Sequence, residues 1–381
     1  MNSPQSFAAL IKAASYHNKA YTELVSLTNI TFFLGAGFSK SWDASYPTGA
    51  ELFSFKPDDY SDDLNEFVEN IGLDPMAELD ISKFKDIAYQ LSMQKKYPTI
   101  MSRYIDHYNI RMIENELSAV ITKRFQAITK LNYIDNAKQK LKLPDNPTEA
   151  QKDIVEFFRW INNHSTGDNG LPEGLRSHFI TTNYDFLIET LLDAILADDD
   201  THLLYTYRGF TPTTINSYKK LRTVFKHYLV QSLIKINGGF EIYANEKGFN
   251  VDYTKKTEAE LQQIAPVLIL PNREQDYTGD YFQTIFPKAI RTLQESKILI
   301  IVGYSLPEED ALLRILIRQF AEENVDGSEK VIFYIDRMPE AEQKTKLESV
   351  FPYHSTELDR YHIFTYSGIF SDWVKEVLAH K

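Results

Sequence analysis

The sequence predicts an α/β protein: a doubly wound parallel sheet with a helical module inserted into it. Three observations carry this expectation. Short apolar, β-rich runs, clearest at 30–34, 297–302 and 331–335, alternate with amphipathic helical segments, the pattern of parallel strands buried on both faces. Each run stops abruptly at small or polar residues. From about 55 to 170 the alternation ceases, and a helix-rich stretch without a convincing strand takes its place.

Residues 5–28 read as a helix because Phe7, Leu10, Ile11 and Ala14 recur at helical spacing. The run 30–34 is a strand that opens directly into Gly35-Ala36-Gly37-Phe38-Ser39, and Pro47 sits near the first turn of a helix at 47–53. Helices are expected at 78–95, 97–107, 110–130 and 148–163, with a loop closed by Pro144 and Pro147 before the last. Ile154, Phe157, Phe158 and Ile161 share one face of that helix and read as core rather than as a ligand cage. A strand from 178 then runs into Thr182-Asn183-Tyr184-Asp185, followed by a helix bearing Leu187, Ile188, Leu191 and Leu192.

A short strand at 233–236 ends in Asn237-Gly238-Gly239, and 243–262 reads as a polar, exposed loop with room for a short helix. A further strand is expected at 267–270, before Pro271, and an amphipathic helix at 281–293. After the apolar strand 297–302 comes Gly303-Tyr304-Ser305, where Ser305 and Glu308 have capping-box spacing ahead of a helix carrying Leu312, Leu313, Leu316, Ile317 and Phe320. The strand 331–335 ends at Asp336, and a helix with Phe370, Trp373, Val374, Val377 and Leu378 closes the chain. The expected division is an N-terminal helical segment 1–28, a core of 29–54 and 171–381, and an inserted helical module 55–170.

Composition narrows the function. The 381 residues carry 41 basic and 53 acidic side chains, a net charge of −12 that argues against nucleic acid as a directly bound partner. No apolar stretch is long enough to cross a bilayer, and Met1-Asn2-Ser3-Pro4-Gln5 lacks the start of a signal peptide, so a cytoplasmic protein without a membrane partner is expected. There is no cysteine, and the nine histidines show no H-x-x-x-H or H-E-x-x-H spacing, so neither a thiolate metal site nor a catalytic zinc is expected.

Ligands of open parallel sheets sit outside the carboxyl ends of the strands. Those ends here are Gly35-Ala36-Gly37-Phe38-Ser39, Thr182-Asn183-Tyr184-Asp185, Asn237-Gly238-Gly239, Gly303-Tyr304-Ser305 and Asp336. Any one of them could be a cap or turn; five on one rim point to a ligand site. The first, a glycine turn between strand and helix, suits delivery of backbone amides to a phosphate, although it is neither a full G-x-G-x-x-G fingerprint nor a Walker A loop.

In order, G-A-G-F-S, T-T-N-Y-D, K-I-N-G-G, V-G-Y-S-L and the strand ending in Asp336 resemble the motifs of sirtuin-like proteins, and in particular of bacterial sirtuin-like NADases of anti-phage defence. The resemblance covers about 29–50, 175–240 and 265–340. It implies a Rossmann-like NAD-binding core and cleavage of NAD to nicotinamide and ADP-ribose in an abortive-infection system. It also implies a homo-oligomer, in some relatives paired with a HerA-type ATPase. Deacylase sirtuins carry a four-cysteine zinc module; a chain without cysteine cannot build that lobe, so no zinc and no protein deacylation are implied. Gly35, Ala36, Gly37 and Ser39 would hold the pyrophosphate. Asn183 would face the nicotinamide ribose and position the attacking water, and Thr182 would be among the residues that bind NAD. Asp185 either joins them or braces the loop. Gly303 and Ser305 would line the adenosine end, with Tyr304 also among the residues that bind NAD, and a carboxylate at Asp336, near the adenine ribose, suits NAD better than NADP.

One position departs from the family. Its catalytic histidine lies in a segment like K-[IL]-H-G-[SD], whereas this chain has Lys235-Ile236-Asn237-Gly238-Gly239. Asparagine donates and accepts hydrogen bonds but takes no proton near neutral pH. The nearest upstream histidine, His227, is a candidate substitute base, with a surface or core position as the blander reading. The alternative to an NADase is therefore an NAD- or ADP-ribose-binding scaffold subunit.

Overall fold

The computed structural model describes residues 2–20, 28–54, 56, 61–97, 107–133, 141–164, 175–196, 208, 232–272, 274–322, 330–351 and 362–381. Eight strands are present among them: β1 (Thr28–Leu34), β2 (Leu175–Thr181), β3 (Ser232–Lys235), β4 (Ile242–Asn245), β5 (Gly248–Val251), β6 (Ile298–Val302), β7 (Val331–Asp336) and β8 (His362–Ser367). Six form one sheet in the order β3-β2-β1-β6-β7-β8, every pairing parallel. The chain starts in the middle, builds outward to β3, then returns to the other side of β1, which makes the sheet doubly wound. The fold class predicted from the sequence is the one observed.

The chain falls into two compact units: Met1–Ala44, Ala137–Ile236 and Thr284–Lys381 in the first, and Ser45–Asn136 with Asn237–Gln283 in the second. The first holds the six-stranded sheet. β6 and its neighbours are buried residue after residue, which is why they read as continuous apolar runs. Phe7 of the helix Ser3–Ala20 packs on Trp373, Phe333 and Phe157 with ring centroids 4.9, 5.2 and 5.7 Å apart, and Phe32 stacks on Phe179 at 5.3 Å. Ile154, Phe157, Phe158 and Ile161 are all buried in this cluster, as their spacing predicts. Their helix, Glu149–Asn163, starts where it does because Thr148 and Gln151 form a capping box.

The second unit is largely helical. The long helix His107–Ile128 packs against the helices Gly49–Leu52, Asp62–Asn70, Ile81–Lys96 and Glu258–Gln263. Ser61, Asp80 and Thr257 cap the N-termini of three of these through their side-chain oxygens. Phe125 meets both Tyr46 and Phe240, and the Arg124 guanidinium donates to Leu52 O at 3.0 Å.

Several local expectations need correction. The polar stretch 243–262 contains the antiparallel hairpin β4–β5 where a loop is expected, while the short helix allowed for there is present as Glu258–Gln263. Its strands are four residues each, too short for a period to show. The expected strand at 267–270 is a single bridge, Gly238 to Leu268; Pro266 and Pro271 flank it and cannot donate to a longer ladder. The capping box of Ser305 and Glu308 does not form, since the helix begins at Ala311, after Leu306 in a left-handed conformation (φ 51°) and Pro307. β8 escaped the sequence reading because this edge strand is only half-buried and mixes apolar with polar residues. The expected helix 97–107 and His227 lie outside the described residues, apart from the ends of that helix.

Candidate functional site

The strand order reverses between β1 and β6, and the loops leaving these two strands touch. Gly35 N donates to Val302 O at 3.0 Å and Gly37 N to Gly303 O at 3.0 Å, while Gly303 N reaches across to Ile335 O at 2.9 Å. The glycines are required by this approach. A Cβ on Gly303, which sits at φ +57°, would lie 2.4 Å from Gly37 Cα, and one on Gly35 would lie 2.5 Å from Gly303 O. Phe38 N is also engaged, with Gly35 O at 3.0 Å. Of the amides from 35 to 38, that of Ala36 makes no hydrogen bond among the described residues. Any pyrophosphate at this turn is therefore met by a braced loop with few free donors.

Next to the turn, the end of β2 brings Asn183, Asp185 and Ser39 into one network. Thr181 Oγ1 and Thr182 N both donate to Leu34 O at 3.0 Å, which ties the loop after β2 to β1. Asn183 N donates to Thr181 Oγ1 at 3.1 Å. The Asn183 carboxamide donates through Nδ2 to Gly35 O and to Ser39 Oγ, each at 2.9 Å. Ser39 Oγ donates in turn to Asp185 Oδ2 at 2.7 Å, and Asp185 Oδ1 accepts from Leu187 N at 2.9 Å. Ser39 and Asp185 are buried whereas Asn183 is half-buried. With both Nδ2 hydrogens directed inward, Oδ1 is the part of Asn183 with no partner among the described residues.

On the other side of the reversal, Tyr304 is buried against Phe33, donates to Asp310 Oδ2 at 2.7 Å, and accepts at its carbonyl from Tyr334 OH at 3.0 Å. Ser305 is exposed on the rim. The positive φ of Leu306, fully buried, is an uncommon conformation for a bulky side chain; its carbonyl is held by the Arg314 guanidinium at 2.9 Å. Asp336, opposite Gly303 across the strand ends, accepts from Met338 N at 3.1 Å through Oδ1. Burial pushes the hydroxyls of Tyr184 and Tyr334 well above the usual tyrosine range.

Asn237 belongs to the second unit, at the start of its 237–283 segment. Gly238 takes φ +81° with its Cβ direction 2.0 Å from Val267 O, and Ile269 N donates to Asn237 O at 2.8 Å. The Asn237 carboxamide meets the Tyr277 hydroxyl at 3.0 Å, and that hydroxyl also lies 3.1 Å from Gln275 Oε1. One phenolic proton serves one acceptor, so one of the two carboxamides turns its NH2 towards the phenol oxygen. Tyr277 and the buried Glu189 were invisible to motif reading, since an isolated tyrosine among 23 carries no spacing signal; Lys235 stands in the K-I-N-G-G motif, but nothing in the sequence says what its side chain holds.

Among the described residues no group of three or more His, Asp or Glu could hold a metal ion, and no helix is long and apolar enough to cross a membrane. No family model matches the chain, and no curated protein matches it. Among solved structures, the chain is similar to a Sir2 enzyme studied for its mechanism and regulation, at 12% identity and a TM-score of 0.39 over 97% of this chain and 98% of that one. A structure addressing sirtuin substrate affinity is similar at 12% identity and a TM-score of 0.39, over 100% of this chain and 99% of that one. A Sir2 bound to the inhibitor EX-527, 2′-O-acetyl-ADP-ribose and a deacetylated p53 peptide is similar at 12% identity and a TM-score of 0.35, over 92% of each. These three structures are of Sir2 or sirtuin proteins, while the doubly wound fold itself rests on the strand order.

Proposed function

We propose that the chain is an NAD glycohydrolase that cleaves the nicotinamide–ribose bond to nicotinamide and ADP-ribose, in the cytoplasm, as the effector of a bacterial anti-phage system. The observation that carries this reading is the fixed Asn183 carboxamide beside the glycine turn at the reversal of strand order. Its Oδ1 is an acceptor suited to a ribose hydroxyl or to the hydrogen of an attacking water. In the reaction, nicotinamide leaves as a neutral molecule from a cationic nitrogen, so no acid is required. Water adds to the anomeric carbon through an oxocarbenium-like transition state, and its proton passes to solvent. Orientation and electrostatics carry most of such a step. Gly303, Ser305 and Asp336 are assigned to the adenosine half and Thr182 to NAD binding; NAD is the substrate and no zinc takes part. Higher-order assembly and a HerA-type ATPase partner complete this reading.

Asn237 favours a second reading. A carboxamide tied to Tyr277 cannot serve as general base, and its absence as a base slows turnover by about 10²- to 10⁴-fold while leaving ligand binding in place. A scaffold that binds NAD or ADP-ribose fits that chemistry. Chromatography of NAD incubated with the purified protein separates the two: equimolar nicotinamide and ADP-ribose supports the hydrolase, and NAD bound but recovered intact supports the scaffold.

A further inference from the structure

We propose that Lys235 is a positioning residue for Asn183, a role that rests on the NAD reading for its kinetic consequence only. Lys235 is the last residue of β3, paired in register with Thr181 of β2, and is fully buried. Its ammonium donates to Tyr184 O at 3.1 Å, Asp185 O at 2.7 Å and Glu189 Oε1 at 3.1 Å. An ammonium this deep is tolerated only where its charge and its three donors are met, and here three acceptors meet them. Glu189, itself buried, also lies 3.6 Å from the Arg208 guanidinium.

Two of the three acceptors are the backbone carbonyls of the residues directly after Asn183. The loop is therefore held from three directions. Lys235 fixes its carbonyls, Ser39 and Leu187 N fix the Asp185 carboxylate, and Gly35 O with Ser39 Oγ fix the Asn183 carboxamide. A hydrocarbon at 235 takes the ammonium away from both carbonyls, which loosens the peptide planes after Asn183 and with them the orientation of its carboxamide. Lys235, without exposed surface, acts on any substrate through Asn183 alone.

The test uses the full chain with Lys235→Met, in which Glu189 keeps Arg208 as a charge partner. The first readout needs no ligand: hydrogen exchange of the Asn183 side-chain amide in protein labelled with ¹⁵N-asparagine, the signal being assigned by its loss in Asn183→Ser. Exchange is expected to accelerate by about 10-fold or more as the local restraint is released. The second is NAD turnover, where kcat should fall by about 10²-fold with KM changed by less than about 3-fold, because orientation rather than binding is lost. Lys235→Arg, which keeps a donor cation, should recover part of the turnover. Unchanged amide exchange in a folded Lys235→Met protein overturns the proposal. If that variant does not fold, Lys235→Gln is put through the same two readouts. A wild-type protein that releases no nicotinamide counts against the hydrolase reading, and amide exchange then decides the role of Lys235 alone.

Discussion

The Asn183 side chain is held at Nδ2 by two acceptors, Gly35 O and Ser39 Oγ, and this fixes what each substitution should do. Asn183→Ala removes the acceptor and should lower NAD turnover by about 10²-fold or more, measured as nicotinamide release. Asn183→Asp should do no better, since a carboxylate oxygen in place of Nδ2 would face the Gly35 carbonyl at about 2.9 Å with no proton between them. At Asn237 the expected change is in the opposite direction. Asn237→His supplies a group that titrates near neutrality, and if Asn237 limits the chemistry, turnover should rise by about 10²- to 10⁴-fold. A rate that stays at the wild-type value would show that the missing base is not the bottleneck. The motif residues were legible in the sequence because each follows an apolar run. What each atom does was not, because Ser39 and Asp185 are 146 residues apart yet share a 2.7 Å hydrogen bond.

Two elements invite tests of their own. The loops after β1 and β6 are locked backbone to backbone, so Gly303→Ala meets both a positive φ and a 2.4 Å approach to Gly37 Cα. It should destabilise the fold by about 1–3 kcal/mol, read from the urea midpoint. At the β2–β3 pairing, His178 contacts Ser232 Oγ at 2.7 Å, and burial, with Arg176 adding to it, pushes its pKa down to about 4 from 6.5. The folded state thus resists protonation more than the unfolded chain does. Stability attributable to this ring is complete above about pH 6.5 and declines as the pH falls towards 4, by at most about 1.4 kcal/mol per pH unit and by less because the ring is half-buried. Denaturant midpoints at pH 7 and pH 5 should differ more in the wild type than in His178→Gln; equal differences would remove His178 as the cause. The strands read in the sequence are β1, β2, β6 and β7, which are interior to the sheet and mostly buried, and β3, an edge strand whose Leu233 and Ile234 are buried. The missed ones, β8 and the β4–β5 hairpin, lie at an edge or outside the main sheet, where half-burial erases the pattern.

For the whole molecule, the proposed assembly has a direct consequence in solution. Light scattering of the purified chain should give a mass several times the 44.1 kDa of one copy, and a strict monomer at all concentrations would count heavily against a ring-forming subunit. The division into two units, with Asn237–Gln283 in the second and the helix Glu149–Asn163 in the first, differs from the division at 55–170 drawn from composition. The reason is that burial follows tertiary contact: Phe157 and Phe158 join the aromatic cluster on the sheet, while the β4–β5 segment joins the helical unit.

The sequence by itself determined the alternation of buried strands and amphipathic helices, and with it the parallel, doubly wound sheet. It also determined the small and polar residues at the strand ends and the absence of any thiolate zinc site, because these follow from local period, residue size and composition. Only the tertiary structure decided that Gly35, Gly37 and Gly303 serve one another's close approach, that Ser39 and Asp185 orient Asn183, and that Tyr277 meets Asn237 and Lys235 the carbonyls after Asn183. Those are hydrogen bonds and backbone contacts between residues far apart in the chain, and they arise only once the strands have been placed side by side.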